Sequence, residues 1–391
     1  SGGFNAASIA GAKLATTFHP RIPRYGVLEH EQERLGVTAS LQYAPSKATE
    51  INLDLLYADF DATRTENFLE AVSFSRTGAN GKPQTIVKDG VIDAHGNLVY
   101  GVFDNVDIRS EARYDELATQ FTQIGLSGSH RFNDKFSMSA SVGRSESDFD
   151  NPIQTTITLD RANTDNYVWD YRNNDRLPSF NYGFDVTDPA NWTFANGLSE
   201  IRLRPQTALN SIDSGNLEFK LNLSPGFRLT GGWNTKRYEF ETTESRRASE
   251  TVVPNLPAGT SLADLTTLIS LNGTSAGGYL DSVWLIPDID AFDDLFDIYG
   301  NTGIFAVSPN VASARGNNRS VNETDQGFYM QGDFNTDLGG IPFSGNIGVI
   351  ENGKVYRQRD DAAGFEGHRY YPPYTTVDCS LEYGVTKWAR L

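Results

Sequence analysis

Three stretches carry side chains equipped to recognise a ligand. Thr164-Asp165-Asn166-Tyr167-Val168-Trp169-Asp170-Tyr171-Arg172 sets aromatic rings among carboxylate, amide and guanidinium groups. Trp192 follows Pro189-Ala190-Asn191, and Ile289-Asp290-Ala291-Phe292-Asp293-Asp294-Leu295-Phe296-Asp297 repeats the mixture. Flat rings stack on the apolar face of a sugar, and the polar neighbours bond its hydroxyls. Trp169, Tyr171, Arg172 and Trp192 are therefore the candidate ligand-binding residues. A plainer role competes with this one: aromatic residues in loops pack the loops against one another.

Other chemistry finds less support. Asp288, Asp290, Asp293, Asp294 and Asp297 offer oxygens of the kind Ca²⁺ takes, but their spacing matches no calcium-loop template. Asp59-Phe60-Asp61-Ala62-Thr63 opens like such a loop, with Arg64 where the sharp turn needs glycine. Both read as solvated acidic patches, so no metal site is expected. The five histidines (His19, His30, His95, His130, His368) form neither a His-Glu-x-x-His pair nor a Cys/His cluster. There is no Gly-x-Ser-x-Gly elbow and no phosphate loop. Carboxylates are plentiful, yet nothing singles out a glycosidase pair. The chain is expected to be no enzyme and to need no cofactor.

The elements that position these loops alternate strictly. Leu35, Val37, Ala39, Leu41 and Tyr43 share one parity, with Gly36, Thr38, Ser40 and Gln42 on the other. A period of two puts the sets on opposite faces of a strand. After Pro45-Ser46-Lys47-Ala48 the pattern resumes with Ile51, Leu53, Leu55 and Tyr57. A second pair runs through Ile124, Leu126 and Phe132, turns at Asn133-Asp134-Lys135, and returns through Phe136, Met138, Ala140 and Val142. A third turns at Ser224-Pro225-Gly226, between Leu217 to Leu223 and Phe227 to Trp233. A fourth turns around Gly339-Gly340-Ile341-Pro342, between Phe328 to Phe334 and Phe343 to Val349. A last strand carries Val377, Cys379, Leu381 and Tyr383.

The turns are short and hold the residues tight reversals need. The other connections are long: about Thr63–Glu116, Asp150–Thr207, Arg246–Thr324 and Glu351–Pro373. Short turns at one rim and long loops at the other is the asymmetry of an outer-membrane β-barrel, with periplasmic turns and extracellular loops. Aromatic residues of the apolar parity flank the turns: Tyr43, Phe132, Phe136, Phe227, Phe343 and Tyr383. They suit a membrane-interface girdle. In a soluble β-sandwich the same rings would cap a core. The expected fold is all-β: an antiparallel up-and-down transmembrane barrel, of which about ten strands are present. Ile153, Thr155, Ile157 and Leu159 also alternate, so part of the second loop should form a hairpin above the membrane.

Composition agrees. The 391 residues carry a net charge of −17, which argues against phosphate-neutralising contact with nucleic acid. Mean hydropathy is −0.42, and no run of eighteen apolar residues marks a helical span. The single cysteine, Cys379, permits no internal disulfide. It lies on the apolar parity and reads as a small buried or lipid-facing residue. Ser1-Gly2-Gly3-Phe4 shows no signal peptide, so the expectation is a chain that begins inside a longer polypeptide.

Phe18-His19-Pro20-Arg21-Ile22-Pro23-Arg24-Tyr25-Gly26, Glu33-Arg34-Leu35-Gly36, Ser199-Glu200-Ile201-Arg202-Leu203-Arg204-Pro205, Gln331-Gly332-Asp333-Phe334, Gly345-Asn346-Ile347-Gly348-Val349 and Tyr371-Pro372-Pro373-Tyr374-Thr375-Thr376-Val377-Asp378 are spread over almost the whole chain. Together they resemble the barrel of proteobacterial TonB-dependent outer-membrane receptors. The resemblance implies a barrel of about 22 strands around an N-terminal plug. It also implies nutrient uptake from outside, with energy passed from the inner membrane through the TonB complex. A plug and a TonB-contacting segment are not seen in this sequence. Ile350 and Glu351 stand where the family continues its strand with Arg and Tyr. The expectation is one barrel domain fragment over residues 1–391, with an internal deletion junction near 350–370.

The implied location is the outer membrane of a Gram-negative bacterium, in contact with its lipid. The implied ligand is a small nutrient: an oligosaccharide, a siderophore or cobalamin. The alternatives are a small non-energised pore or adhesin, closed by pairing of the segments around Leu35 and Leu381, and a soluble carbohydrate-binding β protein.

Overall fold

The alternating segments become strands that pair with their neighbours one after the next. The structure, a computed structural model, describes residues 17–75, 85–174, 176–271, 282–337, 339–353, 355–361, 366–386 and 389–390. Its main sheet orders β1 (Arg24–Ser46), β2 (Thr49–Ala71), β3 (Val106–Arg131), β4 (Phe136–Thr164), β5 (Gln206–Ser224), β6 (Phe227–Glu244), β7 (Arg319–Asp337), β8 (Pro342–Asn352), β9 (Tyr374–Thr386) and β10 (Ala389–Arg390) exactly as the chain does. Every neighbouring pair is antiparallel. The fold is all-β, and no helix among the described residues is long and apolar enough to cross a membrane. β1 and β9 lie toward opposite edges and do not pair among the described residues, so these strands do not close into a small ring.

All the short turns share one rim, called lower here. The Asn133 side chain accepts the N–H groups of Lys135 and Phe136, which fixes the β3–β4 reversal. Gly339 and Gly340 take φ of 69° and 87° between β7 and β8, a region that favours glycine. Phe132 stacks on Phe136 at 5.1 Å, and Phe334 meets Phe343 at 5.5 Å, so rings gather beside the turns.

Register aligns the apolar residues across strands, because directly opposite residues share a face. Leu41, Leu53, Leu126 and Val142 make one row over β1 to β4. Met138, Phe219, Gly231, Met330, Val349 and Val377 make another over β4 to β9. The Phe219 ring lies over Gly231 and fills the space a side chain there would take. Leu35 to Tyr43 covers about 27 Å along the strand, or about 20 Å at the tilt of a barrel strand, most of the height of a lipid-facing band of about 25 Å. Above it the same face turns acidic at Glu33, Asp59, Asp61 and Asp148.

The strands run further up than the sequence indicates. β2 continues to Ala71, β3 begins at Val106, and β4 passes a bulge at Asn151-Pro152 to end at Thr164. The residues around Ile157 therefore extend β4 and pair with β3, where a separate hairpin was expected. The stretch from Glu351 to Pro373 is also no open loop. Residues 355–361 prolong β8 beside upper β7 and pair with residues 366–371, which lead into β9.

Upper strands and loops share a core on the same sheet face as the lipid-type band. Leu69, Ile108 and Leu159 pack with Trp169, Phe180 and Tyr182 from the second long connection. That connection supplies two strands of a four-stranded sheet made of Ile86–Ile92, Leu98–Asp104, Tyr167–Asp170 and Ser179–Asn181. Tyr182 donates its hydroxyl proton to the Leu69 carbonyl, and Tyr25 donates to that of Pro178. The third connection forms α1 (Ile289–Phe296), whose Phe292 is fully buried with Ile157 and Ile201. Asp288 caps this helix by accepting the Ala291 N–H, and Asp297 ends it in the left-handed region. Arg247 is fully buried and donates to the carbonyls of Ile201, Val252 and Ile304. Burial pushes its pKa down to about 10.

Trp169→Ala empties the centre of this core and should destabilise the loop layer by about 3–5 kcal/mol. The expected result is faster proteolysis of the long connections while the lower strands stay protected. Unchanged cleavage of the loops contradicts it.

Candidate functional site: the polar face of the sheet

The face opposite the apolar rows holds the convergent polar chemistry of the strands. Near the lower rim it is a wall of hydroxyls and amides. Asn52, Ser127, Ser129, Ser139, Ser141 and Asn216 surround a cavity of about 250 Å³. Ser40 donates to Asp54 at 2.5 Å, and Tyr329 donates to Glu218, which also pairs with Lys220 at 2.8 Å. Half-way up, Phe60, Phe121 and Phe149 line the same face, half-buried. The Arg34 guanidinium sits over the Phe60 ring at 4.8 Å.

Higher still the wall becomes ionic. Asp115 is fully buried and accepts from Arg64 at 2.7 Å and from Arg113 at 2.9 Å. Arg64 also meets Glu66 at 3.4 Å. Arg109 bonds Asp160 at 3.0 Å and Glu200 at 3.4 Å, and Arg202 pairs with Glu200 and with Glu111. Arg24 meets Glu70 at 3.6 Å. Strand period places them together: Arg109, Glu111, Arg113 and Asp115 alternate along β3, opposite Glu70, Phe68, Glu66 and Arg64 on β2. Five arginines thus face six carboxylates in a nearly balanced ladder.

Electrostatics follow from burial and pairing. Burial raises the Glu70 carboxyl, and Glu111 adds to the rise. At Glu200 burial pushes upward too, but Arg202 and Arg109 outweigh it and the net shift is downward. Burial opposes the charge on Arg109, yet Asp160 and Glu200 more than compensate and raise its pKa.

The loop residues singled out in the sequence stand elsewhere. Trp169 is fully buried, 4.7 Å from Phe74 and 4.6 Å from Phe103. Trp192 is buried against Phe184 at 5.3 Å, and its indole N–H donates to the Val186 carbonyl. Tyr171 is half-buried with its edge toward Phe180, and burial pushes its hydroxyl up to about 12. Arg172 is exposed, clasped by Asp170 at 2.6 Å, with its guanidinium 4.0 Å over Tyr100. The ladder was absent from the sequence-level candidates. Its signal was the run Arg109-x-Glu111-x-Arg113-x-Asp115, a period-two alternation in charge.

No family profile matches the chain, and no curated protein does. Among solved structures the chain is similar to the ferric preacinetobactin receptor BauA from Acinetobacter baumannii, with a TM-score of 0.34 and 9% identity. The overlap covers 95% of this chain and 46% of that one, so the chain spans about half the length of that receptor. A TM-score this low does not establish a shared fold.

Asp115→Ala leaves two guanidiniums facing each other and should cost about 3 kcal/mol in unfolding free energy. Asp213→Ala, which removes an exposed pair with Arg144, should cost less than about 1 kcal/mol. Equal costs from denaturant midpoints contradict the ladder's role. The depressed Glu200 carboxyl gives a pH signature. Its stabilisation is present above the ordinary glutamate range, near 4.3, and is lost as pH falls through the lower folded value. Wild type should exceed Glu200→Gln in stability at pH 7, and the gap should close toward pH 3. A gap independent of pH overturns that assignment.

Proposed function

We propose that the chain is part of the wall of an outer-membrane nutrient receptor of a Gram-negative bacterium. The apolar rows face lipid, the polar face lines the conduit, and the long connections stand outside the cell. One observation carries the reading. Leu126 and Val142 lie on strands paired on both sides, yet they are 46% and 58% exposed. A water-soluble sheet covers such a row with a second layer. Here the protein's own loops cover only the upper half of that face, and the bare half spans most of the height of a lipid-facing band. Cys379 joins the bare rows opposite Ile347.

In this reading a small nutrient, whether oligosaccharide, siderophore or cobalamin, enters past the loops and meets the ionic ladder and then the hydroxyl wall. Uptake draws energy from the TonB complex through a plug. A small self-sufficient pore would need β1 and β9 to pair, and they stand toward opposite edges of the sheet.

Neighbouring positions on β3 test the assignment. A spin label at Leu126→Cys should be relaxed by oxygen dissolved in lipid, and one at Ser127→Cys by a water-soluble nickel chelate. Leu126→Arg should cost about 2–4 kcal/mol in bilayer-inserted protein, and Ser127→Arg far less. Equal access of both labels to the chelate sinks the proposal.

A further inference from the structure

A second cavity lies on the opposite side of the sheet from the polar wall. It measures about 520 Å³ and is a recess, open to solvent on one side, between the upper strands and the segment that leads into α1. Its floor is the outer face of β2, β3 and β4, and its roof is Ile286 to Asp290 with Tyr299. The volume falls within the range of about 300–1,000 Å³ common for small-molecule sites.

One polar group in the floor is unmet: the Thr65 hydroxyl is buried without a partner. Asn67, one strand period away and only 8% exposed, lines the same wall. Native proteins rarely leave buried polar groups unsatisfied, so an orphaned hydroxyl in a cavity wall points to something that binds there. Around these two residues stand the hydroxyls of Tyr114 and Tyr299 and the carboxylates of Glu116 and Asp290. Tyr114 donates to Glu116 at 3.2 Å, and Tyr299 meets Thr155 at 2.8 Å. Ile153, Ile286 and Ile289 make the rest of the lining apolar. The Arg113 guanidinium belongs to the other face, where Asp115 and Glu66 hold its charge.

We infer that this cavity binds a hydroxyl-rich saccharide unit. Carboxylates and amides bond sugar hydroxyls, isoleucines receive the C–H face of the ring, and the acidic rim repels anions. The saccharide is either a free oligosaccharide or the headgroup of a glycolipid, since the cavity shares its sheet face with the apolar rows. The buried tryptophans Trp169 and Trp192 are not part of its lining.

Detergent-solubilised full chain tests this without reference to membrane insertion. Saturation-transfer NMR would be run with maltose, cellobiose, lactose and chitobiose. Binding to phosphatidylcholine vesicles would be compared with and without glucosylceramide. Transfer to at least one free sugar identifies a free saccharide, and recruitment only by glucosylceramide vesicles identifies a headgroup. In either case Asp290→Asn with Tyr299→Phe, both at exposed positions, should weaken binding about tenfold or more. Asn67→Leu should do the same, with melting temperature monitored as a control. No binding by any probe overturns the inference, and so does binding that the double variant leaves unchanged.

Discussion

Covering one apolar sheet face is the constraint that organises this molecule. A paired strand satisfies its backbone laterally, so its two faces are free to differ, and here one of them is oily in its lower band and again in its upper core, with an acidic belt between. Exposed contiguous apolar surface of this extent is rare in water. The upper half is covered from within: Leu69, Ile108 and Leu159 disappear beneath Trp169, Phe180 and Tyr182. The lower half, from Leu41 across to Val377, receives no such cover. The long connections need not be long to join adjacent strands. Their length corresponds to the area they roof.

The lower strands were legible because their two faces meet different surroundings. Leu35 to Tyr43 alternates strictly, and Asn133 and Gly339-Gly340 mark reversals by backbone chemistry that only a few residue types provide. The upper strands were illegible for the opposite reason. Where loops cover one face and an ion ladder crowds the other, residues 106–117 read as a mixture of apolar and charged types, and the apolar period fades. The aromatic loop residues were visible as a class, but nothing local says whether a ring faces solvent or a core. Trp169 took the core because Phe74 and Phe103 arrive from another connection. The aspartates around α1 were visible too. Their spacing reflects the needs of a short helix, since Asp288 caps one end and Asp297 turns the other.

Charge is distributed by height and by face. The chain carries −17 overall, yet the ladder is almost neutral. Part of the excess sits on the outer face above the apolar rows, at Glu33, Asp59, Asp61 and Asp148. A carboxylate cannot enter hydrocarbon at small cost, so these side chains mark how far up the band can extend. The lower border is set differently, by rings such as Phe132 and Phe136 that tolerate both oil and water. In the proposed membrane setting the two borders fix the vertical position of the sheet more sharply than apolar length alone.

The ladder itself is a poor device for stability. Desolvating Asp115 between two guanidiniums roughly offsets the attraction gained, and apolar side chains of similar volume would serve as well. Its value lies in geometry. Each side chain is held on a paired strand by partners on either side, so donors and acceptors stand at fixed heights before any ligand arrives. A ligand entering such a wall must exchange with bonds already made, which keeps each contact weak. If this face lines a conduit, as proposed, many weak, preformed contacts in vertical series suit passage better than retention, because a conduit must release what it binds. The cavity beneath α1 has the opposite character. Its Thr65 hydroxyl is unmet, so a ligand there completes at least one bond without breaking another. On the proposed readings the two faces of one sheet therefore differ in kind: one suits transit, the other holding.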